Sequence, residues 1–346
     1  MEAVMTKKIR IGNVMIGGGE KIAIQSMAST DTADVEASIR QTLQLEEAGC
    51  EIIRYAAYDI ASAKAIGKIK EGVHIPVVAD VHFDHKIAIA AIEAGADKVR
   101  INPGNIGGED KIRMVADAAK MHHIPIRVGA NAGSLMEKYR NEKRSTALVE
   151  STLENIRALE KCGFYDIVCA LKASDVPSTV EAYREISKHV DYPMHLGVTE
   201  AGTERTSLIK SAMGIGSLLL MGIGDTLRVT MSADPVMEIE AAKDILQFAG
   251  KRLFKPELIA CPTCGRTRID LLSLANEVEA LLKNIDKPIK VAVMGCVVNG
   301  PGEAREADIG VAGGIGEGVL FKKGEIVKKV PYEEILPELK TLIKEL

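Results

Sequence analysis

Short strand-like runs recur eight times along the first two thirds of the chain, each followed by a helix-like segment, and this repeat limits the fold more than any other feature. The runs are IAIQSM from Ile22, CEIIRYAA from Cys50, IPVVADVHF from Ile75, KVRINPGN from Lys98, IPIRVGAN from Ile124, DIVCALKAS from Asp166, PMHLGVTEA from Pro193 and SLLLMGIGDTLRVTMS from Ser217. They start about 23–28 residues apart, with one longer step of about 42, a spacing that suits βα units. Between them lie segments such as VEASIRQTLQLEEAG, DHKIAIAAIEAG and STLENIRALEKCG. Several end in a glycine just before the next strand, as a helix C-cap does. Eight such units in about 250 residues predict a (β/α)8 TIM barrel. An open doubly wound sheet competes, but no strand here is followed by a dinucleotide glycine fingerprint. The triple glycine Gly17 to Gly19 precedes a strand and not a helix. A phosphate cradle needs the opposite order, so this stretch reads as the turn of a leading hairpin.

The periodicity stops near Gly250, which divides the chain into a barrel, residues 1–252, and a small α+β domain, residues 253–346. The second part reads as a helix from about Ile269 to Asn284, strands PIKVAVMGC and ADIGVAGG, a hairpin GVLFKKGEIVKKV and a closing helix. Hydrophobic residues, at 47%, are enough for a sizeable core. The formal charge of −4 and the absence of tryptophan argue against a nucleic-acid partner. No apolar stretch approaches the roughly 20 residues of a membrane span, and MEAVMTKKIRIG carries no signal-peptide core. The six cysteines therefore read as thiols or ligands in a reducing cytoplasm.

In a barrel of this kind the active site lies at the C-terminal strand ends. Four cations, Arg54, Arg100, Arg127 and Lys172, come from four different strands of an acidic protein. Each could pair with a carboxylate such as Asp80 or Asp175. Together they suit a phosphate or diphosphate ligand, because guanidinium forks match phosphate oxygens. The glycines and asparagines of VRINPGNIG and IRVGANAGSL let backbone amides approach an anion. Glu200 ends a strand in GVTEAG and could exchange a proton. His82, His85 and His195 form no tight ligand motif, and Cys50, Cys162 and Cys169 read as buried thiols.

The second domain holds two cysteines three apart, Cys261 and Cys264 in ACPTCGRTRID, and a third, Cys296, at a strand end in VMGCVVNGPGEAREADIG. No histidine follows His195 and no cysteine follows Cys296. A structural zinc site needs four protein ligands, usually Cys or His, and is one short. A radical-SAM site would need its three cysteines in one short segment. An iron–sulfur cluster with three thiolates and one unusual or open iron remains, and Glu303 in NGPGE is the nearest oxygen ligand.

At CPTCGRT and VMGCVVNGPGEAREADIGVAGG the chain resembles the iron–sulfur 4-hydroxy-3-methylbut-2-enyl diphosphate synthase family of the methylerythritol phosphate route to isoprenoids. The segments QSM, VADVHFD, VRINPGNIG, PIRVGANAGSL, LKASD, HLGVTEAG and RVTMSADP extend the resemblance, in order, over nearly the whole chain. It has no insert between barrel and second domain and so resembles the compact bacterial form. The resemblance implies a [4Fe-4S] cluster on Cys261, Cys264, Cys296 and Glu303, with the glutamate able to give way to a substrate oxygen. It implies diphosphate binding by Arg54, Arg100, Arg127 and Lys172, polar contacts from Asn131 and Ser232, and an association of Glu200 with proton transfer. The implied reaction is a two-electron reductive ring opening of 2-C-methyl-D-erythritol 2,4-cyclodiphosphate, with electrons from flavodoxin or ferredoxin. The implied assembly is a head-to-tail homodimer with shared active sites. Two other readings are a phosphosugar aldolase or pterin-type barrel with a structural metal knuckle, and an iron–sulfur carrier whose barrel is a scaffold.

Overall fold

The computed structural model describes residues 5–346 except 136, 140, 286 and 297–303. It falls into two compact units, Met1–Arg252 and Leu253–Leu346. The first opens with a hairpin of β1 (Ile9–Ile11) and β2 (Val14–Ile16). Gly17, Gly18 and Gly19 follow with positive φ, and a Cβ on Gly17 would lie 2.0 Å from the Lys7 carbonyl oxygen. The turn reading holds.

Eight strands follow: β3 (Ala23–Met27), β4 (Ile52–Ala56), β5 (Val77–Asp80), β6 (Lys98–Arg100), β7 (Ile126–Asn131), β8 (Ile167–Lys172), β9 (His195–Leu196) and β10 (Thr226–Leu227). All their pairings are parallel, in the order β8-β7-β6-β5-β4-β3-β10-β9. A parallel bridge between Cys169 and Met194 joins the two ends, so the sheet closes into a barrel. Each strand is followed by a helix. Five of these helices start on an aspartate whose side chain accepts a backbone N–H of the first turn: Asp34, Asp59, Asp84, Asp175 and Asp234. Such caps satisfy amides that the helix itself leaves unpaired.

The eighth strand is shorter than its sequence suggests. Ser217–Leu220 is the last turn of the helix Glu204–Leu220. Its buried positions are Ser207, Ser211, Gly214, Ile215, Leu218 and Leu219. They keep helical steps of three and four, but half are not apolar, so hydropathy hides the stripe.

At the closing seam between β8 and β9, the Tyr183 hydroxyl accepts the Leu171 N–H at 3.0 Å and donates to the His195 carbonyl. Tyr183 is fully buried. Tyr183→Phe leaves that donor and that acceptor without a partner, and a buried polar group left unpaired costs about 1–3 kcal/mol. Denaturant titration of the variant is expected to show a loss of about 2–3 kcal/mol; an unchanged midpoint would mean that the hydroxyl does not hold the seam.

At the other end of the unit, Arg252 grips the Glu51 carboxylate with two nitrogens, at 2.6 and 3.0 Å, and donates to the Ile22 carbonyl at 2.9 Å. Ile22 and Glu51 immediately precede β3 and β4. The chain therefore leaves the first unit pinned at the N-terminal end of the barrel strands.

The second unit is a five-stranded sheet of β11 (Glu257–Ala260), β12 (Lys290–Met294), β13 (Ile309–Gly313), β14 (Glu317–Lys322) and β15 (Glu325–Pro331), in that order. β11, β12 and β13 are parallel, and the last two pairings are antiparallel. Helices Leu271–Leu282 and Ile335–Lys344 cover one face through Leu274, Val278, Ile335 and Leu339. The sequence does not announce β11, whose four residues are only partly covered.

Candidate active site

Inside the barrel, side chains alternate between the helix layer and the axis, as strand period dictates. Tyr55 points outward to the Ser38 carbonyl, while Arg54 points inward. The inward set lines a cavity of about 260 Å³ that contains Arg54, Arg100, Arg127, Asn131 and Lys172. Arg228, Asp80, His82, Thr199 and Thr230 also line it. Arg100, Asn131 and Lys172 end their strands, but Arg54 is mid-strand and Arg127 is only the second residue of β7. The barrel stagger explains this: Arg127 pairs in register with Arg100, the last residue of β6.

Arg100 donates to Asp80 at 2.8 Å, and Arg54 lies 3.4 Å from the other oxygen of the same carboxylate. Ion pairing with Asp80 thus accounts for two of the four cations. Asp175 pairs instead with Arg144, away from this set. Burial opposes the Asp80 charge, but Arg54, Arg100 and Arg127 outweigh it and hold the carboxyl well below the usual range. Five cationic side chains still face one carboxylate among the described lining residues.

Arg127 is 3% exposed and its Nη1 has no hydrogen-bond partner. Burial first, then Arg54 and Arg100, pushes its pKa well down. Burial likewise lowers Arg54 to about 10, against the pull of Asp80. Guanidiniums stay protonated in proteins, so these directions mean that cations are held where they are less stable than in water. Lys172 is shifted the same way, by burial and then by Arg127. Burial and Arg100 keep His82 below the usual imidazole range, and its Nε2 accepts from Arg100 at 2.7 Å.

Arg228 is a site residue that the four-cation reading left out. It reaches the cavity while Glu238, on the next helix, holds its guanidinium through two contacts of 3.3 Å. The ten-residue spacing between Arg228 and Glu238, with a helix start between, is the signal that could have found it. Arg54 and Arg228 also flank the Met27 sulfur, at 2.8 and 3.6 Å. Below this layer His195 is fully buried and bonds Thr226 through Nδ1 at 2.8 Å, while its Nε2 has no hydrogen-bond partner.

Two residues expected at the site lie outside the cavity lining. Ser232 is exposed, and its N–H donates to the Gly202 carbonyl at 3.0 Å. Glu200 is exposed with φ of +51°, an uncommon backbone state for a side-chain-bearing residue. Its carboxylate is 3.7 Å from where a Cβ on Gly133 would stand, so it faces the loop after β7.

In the second unit, Cys261 follows β11 and Cys296 follows β12, at the same ends of neighbouring parallel strands. Cys264 joins them through a turn whose Thr267 bonds it on both sides and whose Arg268 N–H reaches the Gly295 carbonyl. The Gly295 N–H donates to Cys261 Sγ at 3.1 Å. The Arg266 N–H, and then its guanidinium, hold Cys264 below the usual thiol range. Amide donors aimed at sulfur suit iron–sulfur thiolates, so the donor set fits a cluster. Among the described residues no three Cys, His, Asp or Glu side chains converge on a single metal ion. Glu303 lies outside the described residues.

Cys50, Cys162 and Cys169 are buried, and burial raises Cys50 to about 12. In metal-free protein, iodoacetamide is expected to label the exposed Cys264 first and Cys50 and Cys169 last, read by peptide mass spectrometry. Early labelling of Cys169 would contradict the barrel packing.

The GcpE TIM-barrel domain model matches residues 6–243, and the GcpE protein C-terminal domain model matches residues 257–345. The chain belongs to the GcpE family. Its GcpE-family relative in Caldanaerobacter subterraneus subsp. tengcongensis, a 4-hydroxy-3-methylbut-2-en-1-yl diphosphate synthase (flavodoxin), is 56% identical and covers 99% of this chain and 98% of its own. A protein of the same name in Listeria monocytogenes is 53% identical, over 97% of this chain and 92% of its own. Dihydropteroate synthase from Stenotrophomonas maltophilia superposes with a TM-score of 0.54 at 15% identity, over 71% of this chain and 98% of its own. That last likeness carries the barrel fold alone. The family expected from the cysteine and barrel motifs is thus the one to which the chain belongs.

Proposed function

We propose that this GcpE-family chain is an enzyme that opens and dehydrates 2-C-methyl-D-erythritol 2,4-cyclodiphosphate to 4-hydroxy-3-methylbut-2-enyl diphosphate. The observation that carries the proposal is the excess of buried cations at the barrel mouth, in a chain whose second unit sets Cys261 and Cys296 at the same ends of two neighbouring strands, with Cys264 in the turn that follows Cys261. Full-length relatives named as the synthase support it.

Arg54, Arg100, Arg127, Lys172 and Arg228 bind the diphosphate, with Asn131 as a polar contact. Asp80 and Glu238 fix three of these guanidiniums before the ligand arrives, so binding pays little for ordering them. Burial keeps water out and strengthens each charge contact. We place Ser232 at the substrate rim. Cys261, Cys264, Cys296 and Glu303 would hold a [4Fe-4S] cluster, which would pass two electrons, one at a time, from the external donor to the substrate. The substrate hydroxyl leaves as water and needs a proton, and we assign Glu200 to hold it. The names of the relatives support flavodoxin as electron donor; ferredoxin is the alternative. Six unpaired thiols suit a cytoplasmic enzyme, and no helix among the described residues is long and apolar enough to cross a membrane.

We further propose a head-to-tail homodimer in which the second unit of one copy serves the barrel of the other.

The test is anaerobic assay of iron–sulfur-loaded protein with the cyclodiphosphate and a chemical reductant. Product formation is expected, and loaded protein that turns nothing over would end the proposal. Mixing Cys296→Ala chains with Arg127→Met chains is expected to recover activity. Mixtures as inactive as their parents would refute shared sites.

A further inference from the structure

Gly197 follows β9 directly. Its φ is outside the left-handed region, so its backbone does not require glycine. What it lacks is a side chain, and that space is taken. A Cβ there would lie 2.7 Å from Lys172 Nζ, 3.2 Å from Lys172 Cε and 2.9 Å from the Arg228 carbonyl oxygen. The Lys172 side chain, from the adjacent strand β8, therefore lies over the bare α-carbon of Gly197 on its way into the cavity. The charges acting most on Lys172 are the guanidiniums of Arg127, Arg54, Arg228 and Arg100, all repulsive. The ammonium thus sits among like charges, and the bare α-carbon of Gly197 is a surface that its side chain lies against.

We propose that Gly197 is a positioning residue whose missing side chain aims the Lys172 ammonium at the diphosphate. The proposal rests on the anion-binding reading of the cavity given above. A methyl at this position meets two partners: the flexible end of Lys172, which swings away, and the Arg228 carbonyl oxygen at 2.9 Å, a backbone atom that must shift slightly, while the φ of Gly197 itself stays allowed. The expected effect is a re-aimed lysine in a folded barrel.

The experiment is calorimetric titration of the full chain with inorganic pyrophosphate. Gly197→Ala and Lys172→Ala are each expected to weaken binding about tenfold, one charge-assisted contact's worth. Lys172→Ala/Gly197→Ala is expected to bind no worse than Lys172→Ala alone, since contacting residues that act through one another are not additive. In the iron–sulfur-loaded enzyme, Gly197→Ala is expected to raise KM for the cyclodiphosphate about tenfold and to leave kcat nearly unchanged. Wild-type affinity in Gly197→Ala, or a further loss in the double variant, would overturn the proposal. Should Gly197→Ala alone not fold, the comparison of Lys172→Ala with the double variant still decides it. If Lys172→Ala and Arg127→Met bind pyrophosphate as the wild type does, the cavity is not an anion site and the functional reading fails with the proposal. If those two weaken binding and Gly197→Ala does not, the Gly197 proposal fails alone.

Discussion

Arg127→Met is expected to lose affinity for the cyclodiphosphate by at least about a hundredfold, while the ligand-free protein melts at a higher temperature. Both effects have one cause. Arg127 is a buried cation with an unpartnered Nη1, pressed by Arg54 and Arg100. Asp80 is the carboxylate at hand, and it already engages Arg54 and Arg100 at 3.4 and 2.8 Å. Removing one member of a buried, hydrogen-bonded charge pair costs about 2–5 kcal/mol of binding, and the loss expected with a dianionic ligand falls in that range. Without the ligand, a thioether of similar volume replaces an unpaired charge. Such exchanges of buried ions for packed hydrophobes are often stabilising by about 1–4 kcal/mol. Calorimetric titration and thermal melting of the same preparation check both signs. A variant that binds normally, or one that melts several degrees lower, would show that Arg127 is a structural cation and not a ligand-binding one.

Cys296→Ala is expected to abolish the reductive reaction and to take the bound iron and labile sulfide from about four each per chain to nearly none. Three cysteines are all the soft ligands this unit has, so losing one leaves two, too few to hold a cubane. Anaerobic metal and sulfide analysis with a visible spectrum reads the outcome. Pyrophosphate binding in the barrel is expected to stay at the wild-type value, because Cys296 belongs to the other unit. Wild-type iron content in the variant, or one zinc and no sulfide in wild-type protein kept from air, would remove the redox mechanism.

The barrel was legible because each βα unit repeats the same local rule: an extended run, a polar strand end and a helix-like segment, five of these helices also starting on an aspartate cap. Repetition let eight weak signals reinforce one another. The rule failed where local signal is absent. Ser217–Leu220 reads as a strand start because its helix buries serines and a glycine along the stripe that should have been apolar. β11 is four residues beside a linker, with no alternation to mark it. The same logic governs the site. Arg100, Asn131 and Lys172 were recognisable as strand ends, and stagger sets the deeper Arg127 level with Arg100 at the end of β6 and Arg54 level with Met27 at the end of β3. Stagger is a property of the closed sheet and is invisible in any one strand. Arg228 was also legible at a strand end, but its tie to Glu238 on the following helix is visible only in the fold. The room that Gly197 leaves for Lys172 depends on two strands being side by side.

The grip of Arg252 on Glu51 and Ile22 also bears on how the reaction should scale with the amount of protein. If the chain departs at the strand end away from its own cavity, and copies serve each other as proposed, an isolated copy is chemically complete yet kinetically idle. Specific activity then falls on dilution once pairs come apart, and the rate becomes second order in chain. A cell holding few copies would gain more than proportionally from making more, so synthesis of the protein would itself act as a threshold on flux.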